Sequence, residues 1–255
     1  MKKSASSQFS TAHATRTLWK KEESNLAKIN SAILVAAGKG TRMGPGVEKL
    51  FLEVAGRPVV AHAWQRFNDV KCLDEIILVV REGMQSVFTA LAAKCGLRKP
   101  HRIVVGGSER QDSVWNGLEA LSPETEIVAI QDAARPCTSE ALIAATIEAA
   151  RETGAAVAAQ AMTDTIKESA DGKLIARTVD RSRLWAVQTP QTLRVEVIRR
   201  ALAEVRRQKM LVTDDTAACE LIGQPVRLVA SATPNPKVTV PGDLPFIETL
   251  LRMKS

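Results

Sequence analysis

The sequence predicts an α/β fold built on a doubly wound, mainly parallel sheet. Two observations carry that expectation. From residue 31 onward, continuous apolar runs of strand length alternate with segments whose apolar residues recur at helical spacing. A β-α-β-α order with strands apolar on both faces means a parallel sheet covered by helices on both sides. Glycine-rich turns follow several of those runs directly. Right-handed crossovers bring such strand-to-helix loops to one sheet edge, where ligands bind. With no internal repeats and no long linker, residues 31–255 read as a single domain.

Taken in order, residues 31–37 (SAILVAA) form a buried strand. Residues 58–68 form a helix with Pro58 at its first position, where a missing N–H costs nothing, and with Val60, Trp64 and Phe67 on one face. A second buried strand spans 75–80 and a helix 84–95. A short strand at 103–105 precedes a helix over roughly 111–121, then come a strand at 127–131 and a helix at 140–152 ended by Gly154. Residues 155–161 return to strand. Segments 165–169 and 173–180 then flank Ala170-Asp171-Gly172, and Asp-Gly is a tight hairpin signal. This arm, about 163–182, offers little apolar surface beyond Ile166, Leu174 and Ile175. A lone two-stranded hairpin is marginal in water, so the arm should pack on something, and a second subunit is the natural candidate. Helices at 194–208 and 214–221, strands at 226–230 and 237–240, and a closing helix at 244–253 complete the chain.

Composition narrows the function. Apolar residues make up 45% and charged residues 25% of 255, a soluble globular balance. Aromatics are 4% with no Tyr, which argues against stacking platforms for single strands. No apolar run approaches the ~20 residues of a membrane span. The formal charge of +7 invites a polyanion partner, but residues 1–30 hold +4 of it, leaving +3 on the remainder. That segment reads as a disordered basic extension without the apolar stretch of a secretory signal, although its first 21 residues, free of acids, mildly resemble an organelle transit peptide. Neither a basic stripe with aromatics nor a helix-turn-helix pattern points to nucleic acid. Cys72, Cys95, Cys137 and Cys219 lack metal spacing and read as thiols of a reducing, cytoplasmic compartment. His13, His62 and His101 are scattered, so a histidine metal site or a Ser-His-Asp triad is not expected, and any metal is a hard cation held by oxygens.

Three segments carry chemistry. Residues 36–44 (AAGKGTRMG), followed by Lys49, succeed the first strand. Gly38 and Gly40 allow close backbone approach to an anion, and Lys39, Arg42 and Lys49 add charge. The spacing is neither that of a P-loop, since Pro45 follows Gly44, nor that of the dinucleotide fingerprint, since Met43 fills the last glycine position. Residues 106–114 (GGSERQDSV) follow a strand and open a helix. Gly106 and Gly107 would admit a flat base, and Ser108 and Ser113 could bond base or ribose, or Ser108 and Asp112 could simply cap the helix. Residues 132–136 (DAARP) place Asp132 at a strand end, suited to Mg²⁺ directly or through water, and Arg135 within reach of a phosphate. Backbone donors, a carboxylate and permanent cations without an activated nucleophile suit in-line transfer at phosphorus.

These residues resemble a family. From about residue 31 to the end, AAGKGTRMG…EK, GGSERQDSVWNGL, DAARP, TDTIK, TVDRSRLWAVQTPQ, TDDTAACE and NPKVTVPGDL are similar, in order and spacing, to the 2-C-methyl-D-erythritol 4-phosphate cytidylyltransferases of the non-mevalonate isoprenoid pathway. The resemblance implies a Rossmann-like nucleotidyltransferase fold whose projecting hairpin completes the neighbouring site of a homodimer. It implies CTP over Ala36, Ala37, Gly38 and Gly40, with its base near Gly107, Ser108 and Ser113. Arg42 and Lys49 would stabilise charge at the α-phosphorus, and Lys237 would join the triphosphate and Mg²⁺. Asp132 and Arg135, with Thr189 nearby, would meet the sugar phosphate, and Thr165 and Arg181 would reach the partner's substrate. The chain departs from the pattern at Glu48, where Pro is usual, at Pro236, where an aliphatic residue is usual, and at Gly242, where an acid is usual. A ribitol 5-phosphate cytidylyltransferase shares the nucleotide-side motifs; DAARP, TVDRSRLW and NPKVTVPGDL favour methylerythritol. A silent nucleotide sensor would lack Arg42, Lys49 or Asp132, and all three are present.

Overall fold

The apolar run near residue 31 becomes the middle of the sheet. In the computed structural model, which describes residues 28–38, 40, 43–44 and 48–253, β1 (Ile29–Val35) is followed by a small ribbon of β2 (Glu53–Val54) and β3 (Arg57–Pro58), then by α1 (Val59–Asp69), β4 (Glu75–Val80), α2 (Gln85–Cys95), β5 (His101–Val105), α3 (Arg110–Glu119) and β6 (Thr125–Asp132). After α4 (Glu140–Thr153) and β7 (Ala155–Ala161) comes the arm of β8 (Ile166–Glu168) and β9 (Arg177–Val179). Then follow β10 (Trp185–Arg194), α5 (Val195–Gln208), α6 (Asp215–Leu221), β11 (Arg227–Ala230) and α7 (Asp243–Arg252).

Seven strands form one sheet in the order β11-β7-β10-β6-β1-β4-β5. All run parallel except β10, which is antiparallel to both β6 and β7. Side-chain alternation along β1 explains the double winding. Ala32 and Leu34 join a core with Trp64 and Phe67 of α1, Ile143 and Ile147 of α4, and Ile247 of α7. Ile33 faces the other way, onto Val114 and Leu118 of α3 and Ile198 and Leu202 of α5. From β1 the chain steps outward to β4 and β5, then crosses back to β6 on β1's other side. The crevice at this switch point lies beyond the carboxyl ends of β1 and β6.

The expected mainly parallel, doubly wound sheet is present, with differences of detail. Strand β1 begins at Ile29, inside the segment that composition assigns to the extension. Pro58 stands just before α1 rather than in its first turn. Residues 185–194 were not expected as a strand. Pro190 and the register shift between Val187 and Gln191 interrupt the alternation that would announce β10. The expected strand at 237–240 is a loop, because the Asp243 carboxylate captures the Thr239 and Val240 N–H groups at 2.6 and 2.9 Å and leaves no ladder to form. The arm exists, but not with a tight Asp-Gly turn. Glu168 pairs with Arg177, and the Asp171 carboxylate accepts from the Lys173 and Leu174 N–H groups at 2.8 and 3.0 Å, shaping a longer loop. All four cysteines are free, with Cys137 and Cys219 buried.

Candidate active site

The carboxyl ends of β1, β5 and β6 open into one cleft of about 730 Å³. Ala36, Ala37, Gly38, Lys49, Gly107, Ser108, Ser113, Asp132 and Lys237 all line it. Arg42, together with Lys39, lies outside the described residues.

At the first wall, Ala36 continues the sheet by donating its N–H to the Val79 carbonyl at 2.7 Å. Gly40 adopts φ +64°, and the Met43 N–H closes a turn on its carbonyl at 3.0 Å. The aliphatic stem of Lys49 packs under Gly40, so that a β-carbon there would lie 3.1 Å from both Lys49 Cγ and Cδ. Lys49 Nζ donates to the Val238 carbonyl at 3.2 Å, tying this cation to the loop that carries Lys237. Glu48, at the cleft's lip, forms an ion pair with Arg81 at the end of β4.

The second wall is built by glycine. A β-carbon on Gly106 would stand 2.6 Å from Ala37 Cβ, and one on Gly107 would stand 2.3 Å from Asp112 Cβ, so neither position admits a side chain as the walls stand. The Ser113 hydroxyl accepts from the Gly107 N–H at 3.1 Å and donates to the Glu109 carbonyl at 3.1 Å. Its proton is therefore spent on shaping the turn. Ser108 donates to Asp112 at 2.9 Å, and the same carboxylate accepts from the Glu109 N–H at 3.2 Å. Asp112, in the first turn of α3, closes a capping box on the N-cap Glu109, and Ser108 is the exposed hydroxyl at the rim.

Asp132 is the electrostatic centre. Its Oδ2 faces Lys237 Nζ at 2.6 Å and its Oδ1 faces Arg110 Nε at 3.3 Å. Burial alone would raise its pKa, but Arg110, Lys237 and then Arg135 outweigh burial and hold the carboxyl down at about 2. Arg110 Nη2 reaches a second carboxylate, Asp215 Oδ2, at 2.9 Å, within ion-pair range though off hydrogen-bond alignment. Asp215 is fully buried at the start of α6, and that burial pushes its pKa up. The Thr189 hydroxyl accepts from the Asp132 N–H at 3.1 Å, behind the cleft rather than in it. Arg135 turns Nη1 onto the Asn235 carbonyl at 2.6 Å, and Asn235 Nδ2 in turn donates to the Thr189 carbonyl at 2.8 Å. Thr165 and Arg181 are exposed on and beside the arm, outside the cleft lining of their own chain. Arg181 caps the Thr163 carbonyl.

Arg110, Asp215 and Asn235 were not singled out from sequence. The available signal was a cation at the first position of a helix, where the dipole disfavours it, so that it must answer to carboxylates elsewhere. As for a metal, no cluster of three or more His, Cys, Asp or Glu side chains gathers among the described residues. Both Asp132 oxygens already face cations, so direct ligation would displace Lys237. The residues present would fit a hard cation that takes most of its oxygen ligands from a bound phosphate, and Asp132 is the carboxylate that would help hold it.

The sequence matches the family described as 2-C-methyl-D-erythritol 4-phosphate cytidylyltransferase over residues 30–253. It is 40% identical over 225 residues to the protein of that description from Pelotomaculum thermopropionicum, covering 88% of this chain and 94% of the relative. It is 41% identical over 220 residues to that of Geobacillus kaustophilus, covering 86% and 96%. The fold is similar to the crystal structure of 4-diphosphocytidyl-2C-methyl-D-erythritol synthase from Anaerococcus prevotii, with a TM-score of 0.78 at 32% identity over 88% of this chain and 96% of that one.

Proposed function

The chain belongs to the 2-C-methyl-D-erythritol 4-phosphate cytidylyltransferase family, and on that premise we propose how its cleft divides the work. The enzyme transfers the cytidylyl group of CTP to 2-C-methyl-D-erythritol 4-phosphate, giving 4-diphosphocytidyl-2-C-methyl-D-erythritol and pyrophosphate. An oxygen of the acceptor phosphate attacks the α-phosphorus in line, and the bond to the bridging oxygen of pyrophosphate breaks. A phosphate monoester is already largely dianionic near neutral pH, so no protein base is required. Position and charge neutralisation are the protein's task.

The observation that carries this reading is the cleft at the sheet's switch point, where Lys49, Lys237 and Asp132 converge beside the glycine wall of Gly106 and Gly107. We assign the nucleotide to Ala36, Ala37, Gly38 and Gly40, with the base against Gly107 and Ser108 and with Ser113 shaping that turn. Arg42 and Lys49 neutralise charge as the α-phosphorus becomes pentacoordinate. Lys237 is poised to leave Asp132 for phosphate oxygens. Asp132 and Arg135 receive the sugar phosphate, with Thr189 holding the Asp132 backbone. Asp132 would be the residue to help hold Mg²⁺, which would supply charge neutralisation for the departing pyrophosphate.

The arm supports a homodimer in which Thr165 and Arg181 of one protomer reach the other's acceptor. Leu174 and Ile175 are 75% and 66% exposed on its loop, a poor arrangement for a hairpin standing alone. We read the chain from Ile29, where β1 begins, as one catalytic domain and the sequence before it as an extension outside that domain. Four free thiols support a reducing, cytoplasmic setting. Among the described residues no helix is long and apolar enough to cross a membrane.

The test is pyrophosphate release with CTP and Mg²⁺, comparing methylerythritol 4-phosphate with ribitol 5-phosphate. Faster release with ribitol 5-phosphate would overturn the acceptor assignment.

A further inference from the structure

The Arg110 guanidinium is held between two carboxylates from distant parts of the chain, Asp132 at the end of β6 and Asp215 at the start of α6. Asp215 is 1% exposed and takes no part in lining the cleft, whereas Arg110 itself lines it. Buried charges of this kind are weak contributors to stability, because desolvation offsets most of the attraction, and apolar replacements often do as well. A helix that begins with arginine also opposes its own dipole. Stability therefore accounts poorly for the arrangement, and its geometry points elsewhere. The guanidinium fork approaches one oxygen of Asp132 and leaves the other facing Lys237 Nζ. The Thr189 hydroxyl fixes the backbone of the same residue. Asp215 is itself fixed, with its N–H donating to Gln191 Oε1 at 2.8 Å, while Gln191 Nε2 donates to Asp214 at 2.9 Å. The chain of contacts thus runs from α6 through Arg110 to the carboxylate that parks Lys237.

We infer that Arg110 is a positioning residue for the acceptor half of the reaction: anchored by Asp215, it sets the orientation of Asp132 and, through it, of Lys237, without binding the nucleotide. This rests on the assignment of Asp132 to the sugar phosphate. It distinguishes Arg110 from the groups that neutralise charge at the reacting phosphorus, and it gives Asp215 a role although that residue touches no substrate.

The test compares Arg110→Lys and Asp215→Asn with the wild type by three measurements: CTP binding by calorimetry without acceptor, steady-state kcat and KM for methylerythritol 4-phosphate, and a double-mutant cycle with Asp132→Asn. The expected result for Arg110→Lys is CTP affinity within about threefold of wild type and kcat/KM for the acceptor reduced tenfold or more. In the cycle, losses from Arg110→Lys and Asp132→Asn should be non-additive, because they break one unit. Asp215→Asn should show the same split at smaller size, and it keeps the test alive if the arginine variant fails to fold. CTP affinity falling in step with turnover, additive losses, or a folded Asp215→Asn enzyme with unchanged acceptor kinetics would each overturn the inference. A wild-type enzyme that releases no pyrophosphate from CTP and methylerythritol phosphate would instead overturn the function on which it rests.

Discussion

Gly40 lies directly against the Lys49 side chain, where an added methyl would come within 3.1 Å of both Cγ and Cδ. Gly40 also sits at φ +64°, a left-handed conformation that costs an L-residue roughly 1–2 kcal/mol. Gly40→Ala therefore strains the loop and pushes a cation assigned to the α-phosphorus. Because displacements near 1 Å can cost on the order of 10²-fold, kcat should fall at least about tenfold, with the melting temperature lower by only a few degrees. Steady-state kinetics with a thermal melt checks this. A variant with normal kcat would mean that the position of Lys49 does not govern the chemical step.

Lys237 and Asp132 form an ion pair inside the cleft, at 2.6 Å. Replacing Lys237 by Ala removes a preorganised cation, and turnover should fall on the order of 10²–10³-fold. The same pair sets an acid limit on stability. The Asp132 pKa is depressed from 3.8 to about 2, so its stabilisation is complete above the unfolded value and is lost as pH falls through about 2. By linkage that is about 2 kcal/mol. In Lys237→Ala the folded pKa rises, and acid unfolding followed by circular dichroism should begin at higher pH than in wild type. An unshifted acid transition would show that Arg110 and Arg135 suffice to hold the carboxylate.

Gly106→Ala should weaken CTP more than it weakens the acceptor. The new methyl would lie 2.6 Å from Ala37 Cβ and 2.7 Å from Ser113 Oγ, driving apart the two walls between which the nucleotide is assigned. Overpacking of this kind costs roughly 1–3 kcal/mol, so a drop in melting temperature should accompany a rise in the CTP dissociation constant. Calorimetric titration with CTP alone makes the comparison, and an unchanged dissociation constant would remove the base from this wall.

The contrast between these glycines and Arg110 shows what the sequence made legible. Strands β4 and β7 occupy the residues expected of them, 75–80 and 155–161, because burial on both faces leaves continuous apolar runs that need no partner to be recognised. The glycine-lined walls of the cleft were legible for the same local reason: glycines and cations cluster within a few residues of a strand end. Strand β10 was not legible, since its identity depends on pairing with β6 and β7 rather than on its own pattern. The Arg110–Asp215 contact joins helices far apart in sequence and obeys no spacing. Likewise, Ser113 read as a ligand group because its hydroxyl can bond a base, and only the fold reveals that Gly107 and Glu109 engage it.

Arg42 carries a prediction on chemistry alone. If its planar fork grips oxygens at the α-phosphorus, Arg42→Lys keeps the charge but loses the bidentate geometry, and turnover should drop well below wild type with CTP affinity less affected. A lysine variant with near-normal turnover would remove Arg42 from the transition state and leave Lys49 and Lys237 to carry the charge.

The arm gives the sharpest test of assembly. Arg181 is exposed in its own protomer and outside the cleft, whereas Lys49 lines the cleft. If Arg181 serves the partner's acceptor, Arg181→Ala and Lys49→Ala homodimers should each be nearly inactive, but for reasons that lie on different chains. Mixing the two after dissociation yields heterodimers in which one site has lost both groups and the other keeps both. Statistical exchange then restores roughly a quarter of wild-type turnover. Size-exclusion chromatography confirms the dimer, and the recovered rate should rise with exchange time. Recovery cannot occur if Arg181 acts within its own chain, because every site would then lack one group.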